Sequence, residues 1–150
     1  MDRRLLQDVY LFREFSEDEL AGVEAIAQRK AQNPGDVLFN EGDAADALLI
    51  IKHGSVQIAQ AGENNTIMLA TLGTGAHFGE MSFLDGEPRS ATARAMERSE
   101  IVLIRYDALR KLLDAHPSLA VKFYRALAQY LGSRLRATSS DLNFARSRKR

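Results

Sequence analysis

The sequence predicts an α+β fold: an antiparallel β-roll of the jelly-roll type, with N-terminal helices before it and a long C-terminal helix after it. Three observations carry that prediction. Between residues 33 and 105 short apolar runs alternate with glycine-containing turns. On both sides of this stretch the apolar spacing changes to three or four residues, the period of a helix. Within it no connection is long enough to hold the crossover that parallel strands require. At 150 residues the chain has the length of one domain, taken as a single unit over 1–150.

Residues 1–32 read as helical. Leu5, Leu6 and Val9 suggest a short first helix. Ser16-Glu17-Asp18-Glu19 has the form of a capping box, and Leu20, Val23 and Ala27 follow it at helical spacing. Asn33-Pro34-Gly35-Asp36 then breaks the pattern. Candidate strands lie at 37–39, 48–51, 56–59, 67–70, 90–95 and 101–104, separated by turns such as Glu41-Gly42-Asp43 and Leu72-Gly73-Thr74-Gly75. From 106 to 150 the pattern is helical again, with Pro117 as the start signal of the long helix. There Leu119, Phe123, Leu127, Leu131, Leu135, Thr138, Leu142 and Ala145 form one continuous seam. Two arrangements fit so long a seam. Its part beyond Leu131 packs on a second copy, making a homodimer, or the helix bends at Gly132-Ser133 and folds back over its own roll. The basic tail at 146–150 is expected to be a solvated end.

Composition narrows the function. With 45% hydrophobic and 27% charged residues the chain is an ordinary globular one. Twenty Lys plus Arg balance twenty Asp plus Glu, so net charge gives no pull towards nucleic acid or an anionic membrane. No apolar run approaches the ~20 residues of a spanning helix, and a cytoplasmic location is expected. Cysteine is absent, which excludes disulfides and thiolate chemistry. His53, His77 and His116 are far apart in sequence, so no metal ligand set is expected, and His77 reads as a turn residue.

The informative stretch is 78–92, Phe78-Gly79-Glu80-Met81-Ser82-Phe83-Leu84-Asp85-Gly86-Glu87-Pro88-Arg89-Ser90-Ala91-Thr92. A glycine at the mouth of a short helical turn lets a ligand approach the backbone, where free amides favour an anion. Arg89, nine residues after Glu80, brings a planar cation towards the same place, and Ser90 adds a hydroxyl. A carboxylate does not belong in a pure anion site. Glu80 therefore suggests an acceptor for a neutral hydroxyl on the same ligand, and a phosphate with a neighbouring sugar hydroxyl fits both demands. The competing arrangement has Glu80 capping the short helix and Arg89 paired with Glu80, Asp85 or Glu87 in a degenerate pocket.

This stretch resembles the phosphate-binding cassette of cyclic nucleotide-binding domains, and the run from Pro34 to Asp46 followed by Leu48 to Val56 resembles the opening strands and glycine turns of that family. The resemblance covers about 34–95, with flanking helices in the family's places. It implies that Arg89 pairs with the cyclic phosphate, that Glu80 accepts from the ribose 2′-hydroxyl, and that Gly79, Ser90 and Ala91 supply the contacts around them. Ser82 departs from the small apolar residue usual there. In the catabolite-activator type of the family the long helix dimerises and a Thr-Ser pair on it reaches adenine. Arg134-Leu135-Arg136-Ala137-Thr138-Ser139 resembles that segment, which implies Thr138 and Ser139 as base contacts and cAMP over cGMP as ligand. Counted from Pro117, the pair stands about one helical turn further along than in that type.

The function expected is a non-catalytic cAMP sensor that signals through its C-terminal helix to an unidentified protein partner. The alternatives are a cGMP sensor and a ligand-independent dimerisation or docking module. An enzyme such as a phosphodiesterase is not expected, because the sequence offers neither a metal-ligand spacing nor a nucleophile paired with a base. The family's transcription factors carry a helix-turn-helix after the dimer helix, and this sequence stops about where one would begin, so no specific DNA binding is expected.

Overall fold

A computed structural model describes the backbone of residues 2–148 and the side chains of residues 2–138. The N-terminal part holds helices α1 (Arg3–Asp8) and α2 (Glu17–Ile26), with a short 3-10 turn at Tyr10–Phe12 between them. The predicted capping box starts α2: Ser16 Oγ accepts from the Glu19 amide, and the Glu19 carboxylate accepts from the Ser16 amide at 2.8 Å. Eight strands follow among the described residues: β1 (Ala27–Gln32), β2 (Val37–Phe39), β3 (Ala47–His53), β4 (Ser55–Ala61), β5 (Thr66–Gly73), β6 (His77–Phe78), β7 (Thr92–Ala95) and β8 (Ser99–Arg105). A short helix α3 (Glu80–Asp85) interrupts them, and α4 (Tyr106–Ala115) and α5 (Pro117–Arg148) close the chain.

The strands form two four-stranded antiparallel sheets, ordered β1-β8-β3-β6 and β2-β7-β4-β5. β3 is buried on both faces, which is why its sequence is an unbroken apolar run rather than an alternation. Leu48 and Ile50, with Val102 and Ile104 of β8, pack against the helices, where Leu6, Phe12, Leu109 and Phe123 complete the larger core. Leu49, Ile51 and Ile101 face the second sheet and meet Val56 and Ala93 inside the roll.

The reading of 1–32 as helical is corrected over its last six residues. Ala27–Gln32 is a strand paired antiparallel with β8 along its whole length, from Ala27 opposite Ile104 to Gln32 opposite Ser99. The segment has no β-branched or aromatic residue, so propensity alone does not mark it; the free edge of β8 supplies the hydrogen-bond partners that decide its conformation. The two-residue strand β6 was likewise not anticipated. In α5 the expected seam is buried at Leu119, Phe123 and Leu127, half-buried at Leu131, and 67% exposed at Leu135. The helix is continuous through Gly132-Ser133. Leu142, Ala145 and the side chains of the tail lie outside the described residues.

Candidate functional site

Between α3, the inner face of the second sheet and α5 lies a cavity of about 210 Å³. Its floor at one end is Arg89, 6% exposed. The guanidinium Nη2 donates to the Ala47 carbonyl at 2.8 Å and Nη1 to the Tyr106 hydroxyl at 3.2 Å. The Phe39 ring covers it with 4.2 Å from Cζ to the centroid. These partners are neutral, and among the described residues no ion pair joins Arg89 to Glu80, Asp85 or Glu87.

Two turns set the position of Arg89. Its backbone is clamped by the 40–43 turn, with its amide donating to Asp43 O at 2.8 Å and its carbonyl accepting from the Gly42 amide at 2.8 Å. The turn is closed by Asp43 Oδ2, which accepts from the Asn40 amide at 2.9 Å. On the other side Gly79 caps α3 with φ of 88°, in the left-handed region. A Cβ there would stand 2.6 Å from Arg89 Nη1 and 3.1 Å from Ala47 O, so only glycine lets the guanidinium pass. Tyr106 locks the two together, its hydroxyl donating to the Gly79 carbonyl. Burial pushes the Tyr106 phenol above its usual value while Arg89 pulls it back, and the hydroxyl keeps the proton it donates.

Glu80, the first residue of α3, is buried, with Oε2 3.7 Å from His77 Nδ1. Ser90 is exposed at the cavity wall and its carbonyl accepts from Gln60 Nε2 at 2.8 Å, whereas Ala91 is buried in the same wall. The structure thus brings Gly79, Glu80, Arg89, Ser90 and Ala91 to one cavity.

The opposite end of the cavity departs from the sequence expectation. Its covering residues on α5 are Tyr130, Leu131 and Arg134, with Arg134 Nη1 donating to the Tyr130 hydroxyl at 3.0 Å. Thr138 is exposed and does not line the cavity; it stands one turn beyond Arg134 on α5. The side chain of Ser139 lies outside the described residues. Sequence reasoning missed Phe39, His77, Ala47, Tyr106 and Tyr130. Of these His77 alone stood beside the motif, and it is a buried strand residue in the cavity wall rather than a turn residue.

α3 also touches the helices that follow the roll. Phe83 packs its ring 5.3 Å from that of Tyr106 and 5.7 Å from that of Phe123, so the short helix bearing Glu80 contacts α4 and α5. Among the described residues no helix is long and apolar enough to cross a membrane.

The sequence profile of the family described as "Cyclic nucleotide-binding domain" matches residues 29–116. The cyclic AMP receptor protein of Thermus thermophilus is 32% identical over 136 residues, which takes in 89% of this chain and 60% of that protein. A putative potassium channel protein of Rhodopseudomonas palustris is 31% identical over 134 residues, or 89% of this chain and 32% of that protein. The crystal structure of a cyclic nucleotide-binding domain from Methylobacillus flagellatus superposes with a TM-score of 0.81 at 29% identity, covering 93% of this chain and 83% of that one. The chain spans 60% and 32% of the two curated relatives' own lengths.

Proposed function

This chain belongs to the cyclic nucleotide-binding domain family, and from that premise we propose that it is a non-catalytic sensor that binds cAMP between Arg89 and α5 and signals through that helix. The observation that carries the reading is the state of Arg89: buried, fixed by neutral oxygens and an aromatic face, and without a carboxylate partner at the wall of a cavity. A buried cation held in this way is a ready counter-charge for a cyclic phosphate, with the ionic hydrogen bonds that a guanidinium makes in its plane. Glu80, at the same wall, is then the acceptor for the ribose 2′-hydroxyl, and Gly79, Ser90 and Ala91 line the phosphate.

The base lies towards Tyr130, Leu131 and Arg134 in this reading. The preference for cAMP over cGMP leans on likeness to the Thermus thermophilus cyclic AMP receptor protein. Thr138 and Ser139 contact the base only if a second copy supplies them, or if α5 shifts by about one turn, some 6 Å. The signal passes to α5 by two routes, directly through Tyr130 and through Phe83 of α3 to Phe123. The 67% exposure of Leu135 supports a homodimer or a partner protein on the outer part of this helix.

Calorimetric titration with cAMP, cGMP and a cyclic dinucleotide tests the proposal, with Arg89→Ala as control. Loss of an ionic hydrogen bond of roughly 1.5–3 kcal/mol weakens cAMP binding by about ten- to a hundredfold. An unchanged affinity in the variant rejects the assignment of the phosphate to Arg89 and favours a docking module with an idle cavity.

A further inference from the structure

We propose that His77 is a proton-linked positioning residue for Glu80: it takes up a proton when the anionic nucleotide binds, so that affinity rises as pH falls. This inference rests on the proposed function and adds the regulation of that same site.

His77 lies on β6 with its side chain 5% exposed, and it lines the cavity. Both ring nitrogens are buried, and among the described residues neither has a hydrogen-bond partner. Buried polar atoms in a native structure ordinarily have partners, so an imidazole with neither nitrogen engaged is a group that a bound ligand or a proton can satisfy. Nδ1 stands 3.7 Å from Glu80 Oε2, beyond a hydrogen bond and within reach of an ion pair. Tyr130 of α5 covers the ring with 4.5 Å between centroids. On the strand side the neighbour across the ladder is the apolar Ile50.

The charged and titratable groups around this cavity are few. α3 brings Glu80, the loop after it brings Arg89, and α5 brings Tyr130 and Arg134, the last exposed at the mouth and bonded to the Tyr130 hydroxyl. The two buried charges, Glu80 and Arg89, sum to zero although no ion pair joins them, and Arg134 at the mouth stays in water. A nucleotide carrying one negative charge leaves this desolvated site with an excess negative charge, which is unfavourable away from water. A proton on His77 cancels it and fixes the Glu80 carboxylate at a distance where it still offers an oxygen to the ligand. An imidazole changes its charge between about pH 5 and 8, so this requires no unusual chemistry. The direction follows from linkage. If the anion favours the protonated ring, the proton favours the anion, and the extra affinity is present on the acid side and lost as pH rises through the imidazole range.

The test is calorimetry of cAMP binding to the full chain between about pH 5.5 and 8, in buffers that differ in ionisation enthalpy. The wild type is expected to bind about fivefold tighter at pH 6 than at pH 8 and to take up protons on binding. His77→Gln, which keeps a polar side chain and cannot be protonated, is expected to bind with a flat profile and no uptake. A titration of the His77 ring protons by NMR, with and without cAMP, gives the same answer on the unaltered chain: its midpoint moves to higher pH when cAMP is present. A wild-type slope that persists in His77→Gln, binding without proton uptake, or a ring titration indifferent to cAMP overturns the proposal and leaves the sensor assignment standing. If the wild type binds no cyclic nucleotide at any pH, both fall together.

Discussion

Around Arg89 the guanidinium has a carbonyl, a phenol and an aromatic face in place within the protein itself, and its backbone is clamped by the 40–43 turn. Around His77, at the α5 end of the same cavity, both ring nitrogens lack partners among the described residues, and the covering residues come from a helix that is exposed over residues 132–138. The first end is preorganised: its charge is aimed and its side-chain entropy already spent, so an anion gains the full interaction. The second end is unfinished, and in the proposed function its occupant completes the hydrogen bonding of the site and bears on α5. Under the proposed function, affinity resides mainly at Arg89 and response mainly at the helix.

The largest effect that breaks this contrast is expected from Gly79→Ala. The left-handed backbone at Gly79 costs a residue with a Cβ about 1–2 kcal/mol, and that Cβ would stand 2.6 Å from Arg89 Nη1. The guanidinium must leave its seat between Ala47 and Tyr106. The variant is expected to lose about 2 kcal/mol of stability in urea unfolding and to weaken cAMP binding by about ten- to a hundredfold, as Arg89→Ala does. If it loses stability and keeps its affinity, the Arg89 end is not where the anion binds.

Tyr106→Phe is a milder disturbance of the same end. The ring stays against Phe83, but the Gly79 carbonyl loses its donor and Arg89 loses one acceptor. Leaving these buried groups unpaired costs about 1–3 kcal/mol. Affinity is expected to drop about fivefold, since Ala47 O and Phe39 still hold the guanidinium. A drop as large as that of Arg89→Ala would mean that Tyr106, rather than the 40–43 clamp and Ala47, sets the position of the cation.

The same contrast separates what the sequence makes legible from what it hides. Gly79, Glu80, Arg89, Ser90 and Ala91 lie within thirteen residues of one another, and their spacing alone suggests a glycine-fronted anion site with a hydroxyl acceptor. The 34–46 run is visible as a motif, yet its task, holding the Arg89 backbone through Gly42 and Asp43, depends on two turns meeting across the fold. Nothing local in the sequence tells Tyr106 or Phe39, which also seat a cation, from aromatics that only fill a core. At the α5 end the local likeness of Arg134 to Ser139 points to Thr138, while the register of the helix on the roll, set by Leu119, Phe123 and Leu127 in the core, brings Tyr130 and Arg134 there instead. β1 was hidden for a similar reason: its conformation is decided by the edge of β8, not by Ala27–Gln32 itself.

The smallest expected effect concerns the root of α5 and sharpens the contrast by leaving Arg89 untouched. Lys122 Nζ donates to Glu19 Oε1 at 2.7 Å, tying the first turns of α5 to α2. Burial alone would push the Glu19 carboxyl up, but the Lys122 ammonium and the Ser16 amide outweigh it and hold the group below its usual value. A carboxyl depressed in the folded state contributes stability that is present above its unfolded value and lost as pH falls through the folded one. Lys122→Met is therefore expected to lower stability by about 0.5–1 kcal/mol near pH 7, with the difference from wild type closing in acid once Glu19 is protonated in both proteins. Urea unfolding at about pH 7 and pH 3 measures it. The Arg89 seat has no such sensitivity, since its partners are a carbonyl and a phenol that keep their state throughout that range. In Lys122→Met at neutral pH, α5 is held less firmly while the cation keeps its place, so the affinity for cAMP should change by less than about twofold. A larger loss would show that the packing of α5 at its root, and not only the residues that touch the ligand, contributes to binding.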